Sequence, residues 1–262
     1  MIENYHTHTA RCRHAAGSEE EYVQQAIANG LQVLGFSDHT PFHFPGTYYS
    51  HMRMYPEELE DYASSVLSLK EKYAGQIQIR LGLEVEYYPE LIPDLLDMVS
   101  PFDIEYFILG QHWCGNEQNE PYNGRPTEDI ALLTRYCDQV IAGMQTGLFS
   151  YLAHPDLLHF VGDSDAYVTQ MRRLCQAAKD LSIPLELNFL GLRESRQYPR
   201  EDFWKIAGVT GCQVVFGSDA HNPQHVADPA TEALALALVE KYHLQLLEHI
   251  PIRPIPKKTD KG

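Results

Sequence analysis

The chain opens Met1-Ile2-Glu3-Asn4-Tyr5-His6-Thr7-His8. Read as an extended segment, this stretch puts Ile2, Asn4, His6 and His8 on one face and Glu3, Tyr5 and Thr7 on the other, because side chains alternate along a strand. Two imidazoles on one face at a strand end can grip one ion. The pattern returns near the other end of the chain as Asp219-Ala220-His221, after the apolar run Val214-Val215-Phe216-Gly217-Ser218. A barrel closed on itself sets its first and last strands side by side. The two pairs are therefore expected to face each other across a metal site.

Between these ends, short apolar runs alternate with helical patterns. Val33-Leu34-Gly35-Phe36-Ser37 runs into Asp38-His39; Ile77 to Leu83 runs into Glu84; Ile104 to Gly110 into Gln111-His112; Leu148 to Ala153 into His154-Pro155-Asp156; and Pro184 to Leu187 into Asn188. Helices are expected over 19–29, opened by the capping-box pair Ser18 and Glu21, and over 56–73, 90–99, 127–144, 165–181 and 230–242, with Phe203 to Val209 on another. Seven strands alternating with helices predict an α/β fold with a mostly parallel sheet. In parallel barrels the chemistry collects at the carboxyl ends of the strands. Residues 1–250 read as one domain and 251–262 as a frayed tail.

Nearly every strand ends in a metal-ligand type: His6 and His8, Asp38 and His39, Glu84, His112, His154, Asp219 and His221. One histidine at a strand end is readily a packed or solvated residue. Recurrence at six separate ends is what points to a shared centre. The donors are nitrogen and oxygen, which suits Zn²⁺, Fe²⁺ or Mn²⁺ rather than an iron–sulfur cluster. Nine candidates (His6, His8, His14, His39, Glu84, His112, His154, Asp219 and His221) are too many for one tetrahedral ion and suggest two or three, with a carboxylate bridging a pair.

The net charge of −16 disfavours nucleic acid, whose binding rests on Lys and Arg neutralising phosphates. No apolar run approaches the ~20 residues that cross a bilayer, and no leader precedes the first strand, so a soluble cytoplasmic protein without membrane contact is expected. The five scattered cysteines read as free thiols. Nothing in the sequence specifies an oligomeric state.

As an ordered set, His6-x-His8, His14, Ser37-Asp38-His39, Gly82-x-Glu84, Gln111-His112, Ala153-His154-Pro155-Asp156 and Ser218-Asp219-Ala220-His221 resemble the polymerase-and-histidinol-phosphatase (PHP) family. The resemblance runs from His6 to His221. His39-Thr40-Pro41-Phe42, Gly82-Leu83-Glu84-Val85-Glu86-Tyr87 and the chain length are similar to the branch acting on L-histidinol phosphate in histidine biosynthesis. It implies a distorted (β/α)7 barrel with the metal site at the carboxyl ends of the strands. It also implies a division of ligands: His6, His8, Glu84 and Asp219 for one ion; Glu84, bridging, with His112 and His154 for a second; His14, His39 and His221 for a third.

The expected reaction is hydrolysis of a phosphate monoester, L-histidinol phosphate, by a hydroxide bridging two ions, with Glu84, Asp219 and His221 as the catalytic set. No Gly-rich phosphate loop is present. Arg193, Arg196 and His43 are the candidate substrate contacts, since a guanidinium fork fits phosphate oxygens. Arg53 and Glu86 are further candidates, and solvated surface arginine is the competing reading for each arginine. Two rivals share the motifs: a phosphoesterase of the same family acting on nucleotides or oligonucleotides, and a non-catalytic metal-binding protein.

Overall fold

In a computed structural model of the chain, which describes residues 1–256, eight parallel strands lie side by side in chain order. They are β1 (Glu3–Asn4), β2 (Val33–His39), β3 (Gln78–Val85), β4 (Tyr106–Leu109), β5 (Phe149–Leu152), β6 (Leu185–Asn188), β7 (Gln213–Gly217) and β8 (Gln245–Leu246). The connecting helices are α1 (Glu19–Ala28), α2 (Leu59–Lys72), α3 (Ile92–Val99), α4 (Ile130–Gln145), α5 (Ser164–Asp180), α6 (Phe189–Arg193), α7 (Glu201–Thr210) and α8 (Pro229–Tyr242). This is the α/β barrel expected from the alternation of patterns. The capping box also forms: Glu21 N donates to Ser18 Oγ, and Ser18 N to Glu21 Oε2. Among the described residues, no helix is long and apolar enough to cross a membrane.

Two layers of apolar side chains explain the strands' near-total burial. The larger layer packs helices against the outside of the sheet, with Leu34, Leu81, Leu83, Phe107, Phe149 and Leu187 on the strand side. The smaller layer fills the barrel interior with Tyr5, Val33, Tyr106, Ile108, Tyr151, Ala153, Val215 and Ile250. Tyr106 is its centre. Its hydroxyl lies 2.8 Å from the Tyr5 carbonyl, and Gly35 and Gly82 leave it room: a Cβ on Gly82 would stand 2.4 Å from the Tyr106 ring.

The barrel closes at its carboxyl rim. Thr7 forms a parallel bridge to Ala220, with His8 N donating to Ala220 O at 3.0 Å and Ala220 N to His6 O at 3.2 Å. The first and seventh strands thus meet where the His6–His8 and Asp219–His221 pairs sit.

Three details depart from the expectations. The opening strand is not one alternating ladder: β1 stops at Asn4, Tyr5 enters the interior layer, and its neighbours Asn4 and His6 are both fully buried. The Asn4 amide patches the break, its Oδ1 accepting from His6 N and Ser218 N and its Nδ2 donating to Thr7 Oγ1 and Ser218 Oγ. Second, an eighth strand too short for a periodicity, β8, pairs with β7 at the amino end. Third, α6 follows β6 directly, with Asn188 as its cap. The tail read over 251–262 falls in part on 257–262, outside the described residues. Before that, Ile252 packs on the interior layer and Arg253 N donates to Ser150 Oγ.

Because the interior is close-packed around Tyr106, Gly82→Ala is expected to lower stability by roughly 1–3 kcal/mol through overpacking. Urea unfolding measures this, and a midpoint equal to wild type contradicts the packing described.

Candidate metal centre

The carboxyl rim gathers all nine candidate ligands. Glu84, 1% exposed at the end of β3, is the hub. Its Oε2 lies 2.9 Å from His39 Nδ1 and 3.6 Å from Nε2 of both His6 and His8. Its Oε1 lies 2.8 Å from His154 Nε2 and 3.6 Å from His112 Nε2. Asp219 Oδ1 is the second hub, 3.1 Å from His8 Nε2, 3.5 Å from His6 Nε2 and 3.4 Å from His221 Nδ1. The rings of His8 and His221 stack at 4.1 Å between centroids, and those of His14 and His221 at 4.7 Å.

Three-donor groups recur across this cluster. His6–Glu84–His154, His6–His8–Asp219, His8–His39–Glu84 and His14–His39–His221 each bring one donor atom per residue within 4.8 Å of the others. Cys12 joins a further group with His8 and His221.

Many of these atoms lie close to one another yet make no hydrogen bond within the protein. His6 Nε2, both nitrogens of His8, Glu84 Oε2, His154 Nδ1, Asp219 Oδ1 and His221 Nε2 are buried and unbonded. Buried polar groups are nearly always satisfied, so this convergence fits cations as the missing partners. The donor set is that of Zn²⁺, Mn²⁺ or Fe²⁺.

Proton equilibria agree. Burial works against charge throughout, yet the surrounding imidazoles, His112 and His39 foremost, hold Glu84 well below the usual carboxylate range, and His6 does the same for Asp219. Burial lowers His6, but Glu186, Asp219 and Glu84 outweigh it and raise its pKa; His8 is likewise raised to about 9 by Asp219 and Asp38. His14, His39 and His221 are pushed down by burial and then by the charge of His8. Two carboxylates cannot neutralise so many imidazoles, so part of the set stays neutral, the form a metal binds.

The neighbouring strands hold these side chains in place. A Cβ on Gly110 would stand 1.9 Å from Glu84 Oε1, and one on Gly217 1.7 Å from Glu186 Oε1; glycine at both is what admits the carboxylates. His154 (φ 29) and Asp219 (φ 46) adopt left-handed backbone, strain that packing must hold.

Glu186 was not singled out by reading strand ends, because it lies two residues inside β6. It is fully buried; its Oε1 is 2.7 Å from His6 Nδ1, and its Oε2 accepts from His154 N at 3.0 Å and Asn188 Nδ2 at 2.9 Å. Asn188 Nδ2 also reaches Asp219 Oδ2 at 3.1 Å. The strand that offers no ligand thus orients three of them. A single acid inside the apolar run Leu185-Glu186-Leu187 is the signal that marks it. Asp38 has a similar role: its Oδ2 accepts from Thr9, and its Oδ1 lies 3.5 Å from His8 Nδ1.

A cavity of about 460 Å³ opens over the centre, lined by His14, His39, Met52, Arg53, His112, Trp113, Tyr122, Leu190, Glu194, Arg196, Tyr198, Asp219 and His221. Arg196 is therefore at the pocket, paired with Glu194 (2.7 Å) and near the Tyr198 hydroxyl (3.3 Å). Arg193 does not line it; its Nη1 is 3.6 Å from Asp228 Oδ2. His43 is exposed, with Nδ1 2.7 Å from Asp94, and is not brought to the pocket. Trp113 and Tyr122, joined by an antiparallel bridge across the polar 114–126 segment, form an aromatic wall beside His112.

Comparison with known proteins follows the same line. The family model described as PHP domain matches residues 4–189. A probable histidinol-phosphatase of Deinococcus radiodurans is 31% identical over 227 residues, 84% of this chain and 86% of its own. The histidinol-phosphatase of Bacillus subtilis is 25% identical over 248 residues, 82% of this chain and 92% of its own. Histidinol phosphate phosphatase from Lactococcus lactis, in a crystal structure with zinc, L-histidinol and phosphate, shares the fold at a TM-score of 0.74 and 19% identity, over 98% of this chain and 99% of that one.

The centre predicts how metal-free protein responds to pH. His14, His39 and His221 have depressed pKa values, so their contribution is present above the unfolded imidazole value of about 6.5 and is lost as pH falls. His6 and His8 are raised, so theirs is present below about 6.5 and is lost as pH rises, for His8 through about 9. The melting temperature of chelator-stripped protein is expected to peak near neutrality and fall on both sides, and added Zn²⁺ to raise it. A flat profile, or no shift with Zn²⁺, contradicts the electrostatics described.

Proposed function

The chain belongs to the PHP family, and from that premise we propose that it is a metal-dependent phosphatase that hydrolyses L-histidinol phosphate to L-histidinol and phosphate in histidine biosynthesis. The observation that carries the reading is the cluster of seven imidazoles and two carboxylates on the floor of a pocket that also presents an arginine, with buried atoms of His6, His8, His154, His221, Glu84 and Asp219 left without a hydrogen bond. The names of the relatives support the substrate. The reading takes residues 1–250 as one catalytic unit acting in the cytoplasm.

Two to three divalent ions, Zn²⁺, Mn²⁺ or Fe²⁺, would be held by His6, His8, Glu84 and Asp219, by Glu84, His112 and His154, and by His14, His39 and His221. When bound, such ions supply an ionised water near neutral pH and offset charge on a phosphoryl group. The rest falls to the chain. Glu84, reached from both sides by imidazoles, is the natural bridge. Arg196 offers a fork donor at the pocket wall for phosphoryl oxygens. Asp219, ionised, and His221 line the pocket beside the same centre and are placed to orient the water that gives the departing alkoxide its proton. The balance is simple: a water oxygen bonds to phosphorus, the ester P–O bond breaks, and the alcohol leaves protonated. Trp113, Tyr122 and Tyr198 enclose the ligand side of the pocket and exclude bulk water.

Phosphate release from metal-loaded protein, measured over a panel of monoesters, tests the proposal. Histidinol phosphate is expected to be the preferred substrate over a nucleoside monophosphate and p-nitrophenyl phosphate, with activity lost on chelation. Preference for the nucleotide sinks the substrate; no turnover of any monoester sinks the phosphatase. Arg196→Ala is expected to lower kcat/KM about 10- to 100-fold, the scale of a lost hydrogen bond to a charged group. An unchanged value removes Arg196 from phosphate binding.

A further inference from the structure

Arg53 reaches the barrel mouth from the loop between β2 and α2 and is 2% exposed. All five of its N–H groups are spent. Nε donates to Glu117 Oε2 at 2.9 Å; Nη1 to Thr40 O at 3.1 Å and Glu86 Oε2 at 2.9 Å; Nη2 to Glu86 Oε1 at 3.0 Å and Glu117 Oε2 at 2.5 Å. A guanidinium has no sixth donor and accepts nothing. Although Arg53 borders the pocket, none of its hydrogen bonds is free for a phosphate. The rings of Phe42, Phe44 and Trp113 lie 5.5, 5.8 and 5.9 Å from it and keep water away.

Its two acids lead in different directions. Glu117 belongs to the 114–126 segment, a lid that reaches the pocket through Tyr122, and also accepts the Tyr48 hydroxyl at 2.9 Å. Glu86 Oε1 lies 2.9 Å from His112 Nδ1. A carboxylate there accepts a hydrogen bond from Nδ1–H, which keeps the proton on Nδ1 and leaves the Nε2 lone pair for a cation. Nε2 faces Glu84, 3.6 Å from its Oε1.

We propose that Arg53 is a positioning residue that locks the 114–126 lid and the His112 ring into one unit, so that the seating of the lid and the affinity of His112 for its cation are coupled. The fork on Glu86 holds the acceptor that orients His112; the remaining arm on Glu117 pins the lid. Removing the guanidinium strands two buried carboxylates, which then repel or draw in water and release both ends together. The inference rests on the metal centre of the reading above and not on the identity of the substrate.

The test titrates Zn²⁺ into metal-free protein against a chelating indicator and follows Trp113 emission in a Trp204→Phe background, the chain having two tryptophans. Arg53→Lys keeps the charge but not the fork. It is expected to weaken one Zn²⁺ step about 10- to 100-fold and to shift the Trp113 emission. Glu117→Gln touches only the lid arm. It is expected to shift that emission and weaken the same step about 2- to 30-fold. In a Glu86→Gln background the Arg53→Lys loss is expected to shrink, because both changes act through one contact.

Zn²⁺ isotherms of Arg53→Lys and Glu117→Gln that superimpose on wild type overturn the proposal, as do fully additive losses in the double variant. Should Arg53→Lys fail to fold, the Glu117→Gln isotherm decides alone: weakened supports the coupling and unchanged overturns it. Wild-type protein that binds Zn²⁺ yet hydrolyses no monoester defeats the phosphatase reading and leaves the coupling standing.

Discussion

A dry cluster of imidazoles around two carboxylates is the constraint to which the rest of the molecule answers. Glu84 alone stands within 3.6 Å of ring nitrogens of His6, His8, His39, His112 and His154. Such a cluster is unfavourable by itself. Its charges are desolvated, its imidazoles outnumber its carboxylates, and several central atoms make no hydrogen bond. It persists because the surrounding barrel over-determines it. Gly110 and Gly217 clear space for Glu84 and Glu186, the Thr7–Ala220 bridge fixes the first and seventh strands at the rim, and Asn4, Asp38, Glu186 and Asn188 hold the ligands from behind. Cations in the centre resolve the frustration. The same arrangement that makes metal-free protein awkward makes metal-loaded protein useful.

Much of this was legible in the sequence because a parallel barrel imposes a simple rule. A chemically unusual residue at the end of each apolar run must lie on one rim, so His6, His39, Glu84, His112, His154 and Asp219 could be grouped without knowing any distance. What the rule misses is equally physical. Glu186 supports the centre from inside a strand, where its carboxylate fits because Gly217, two residues along the neighbouring strand from its register partner Val215, carries no side chain. Tyr5 defeats strict alternation because the ladder of β1 stops at Asn4, and beyond it side chains no longer follow a strand's two faces. β8 has only two residues, too few to show a period. Arg193 follows a strand and His43 lies in the aromatic loop, but the turn of α6 points Arg193 at Asp228 and the course of the loop leaves His43 against Asp94, neither of which a periodicity encodes.

The long loop after β2 and the 114–126 segment show a second division of labour. The strands and the residues just past their ends present most of the candidate metal donors, while the loops supply shape: Met52 and Arg53 from one, Trp113 and Tyr122 beside the other, Arg196 and Tyr198 from the segment after α6. In a barrel the rigid part carries the chemistry shared by a family, and the loops carry the choice of ligand. The buried contact of Arg53 with Glu86 and Glu117 joins these two parts, since one of its acids touches a metal donor and the other the lid.

The central claim is that donors remote in sequence share cations at one rim. Anomalous diffraction from Zn²⁺-loaded crystals, collected above and below the zinc absorption edge, tests it most directly. The account predicts two or three anomalous peaks enclosed by His6, His8, His14, His39, Glu84, His112, His154, Asp219 and His221. Zinc bound only elsewhere on the surface, with these side chains paired among themselves, would contradict it.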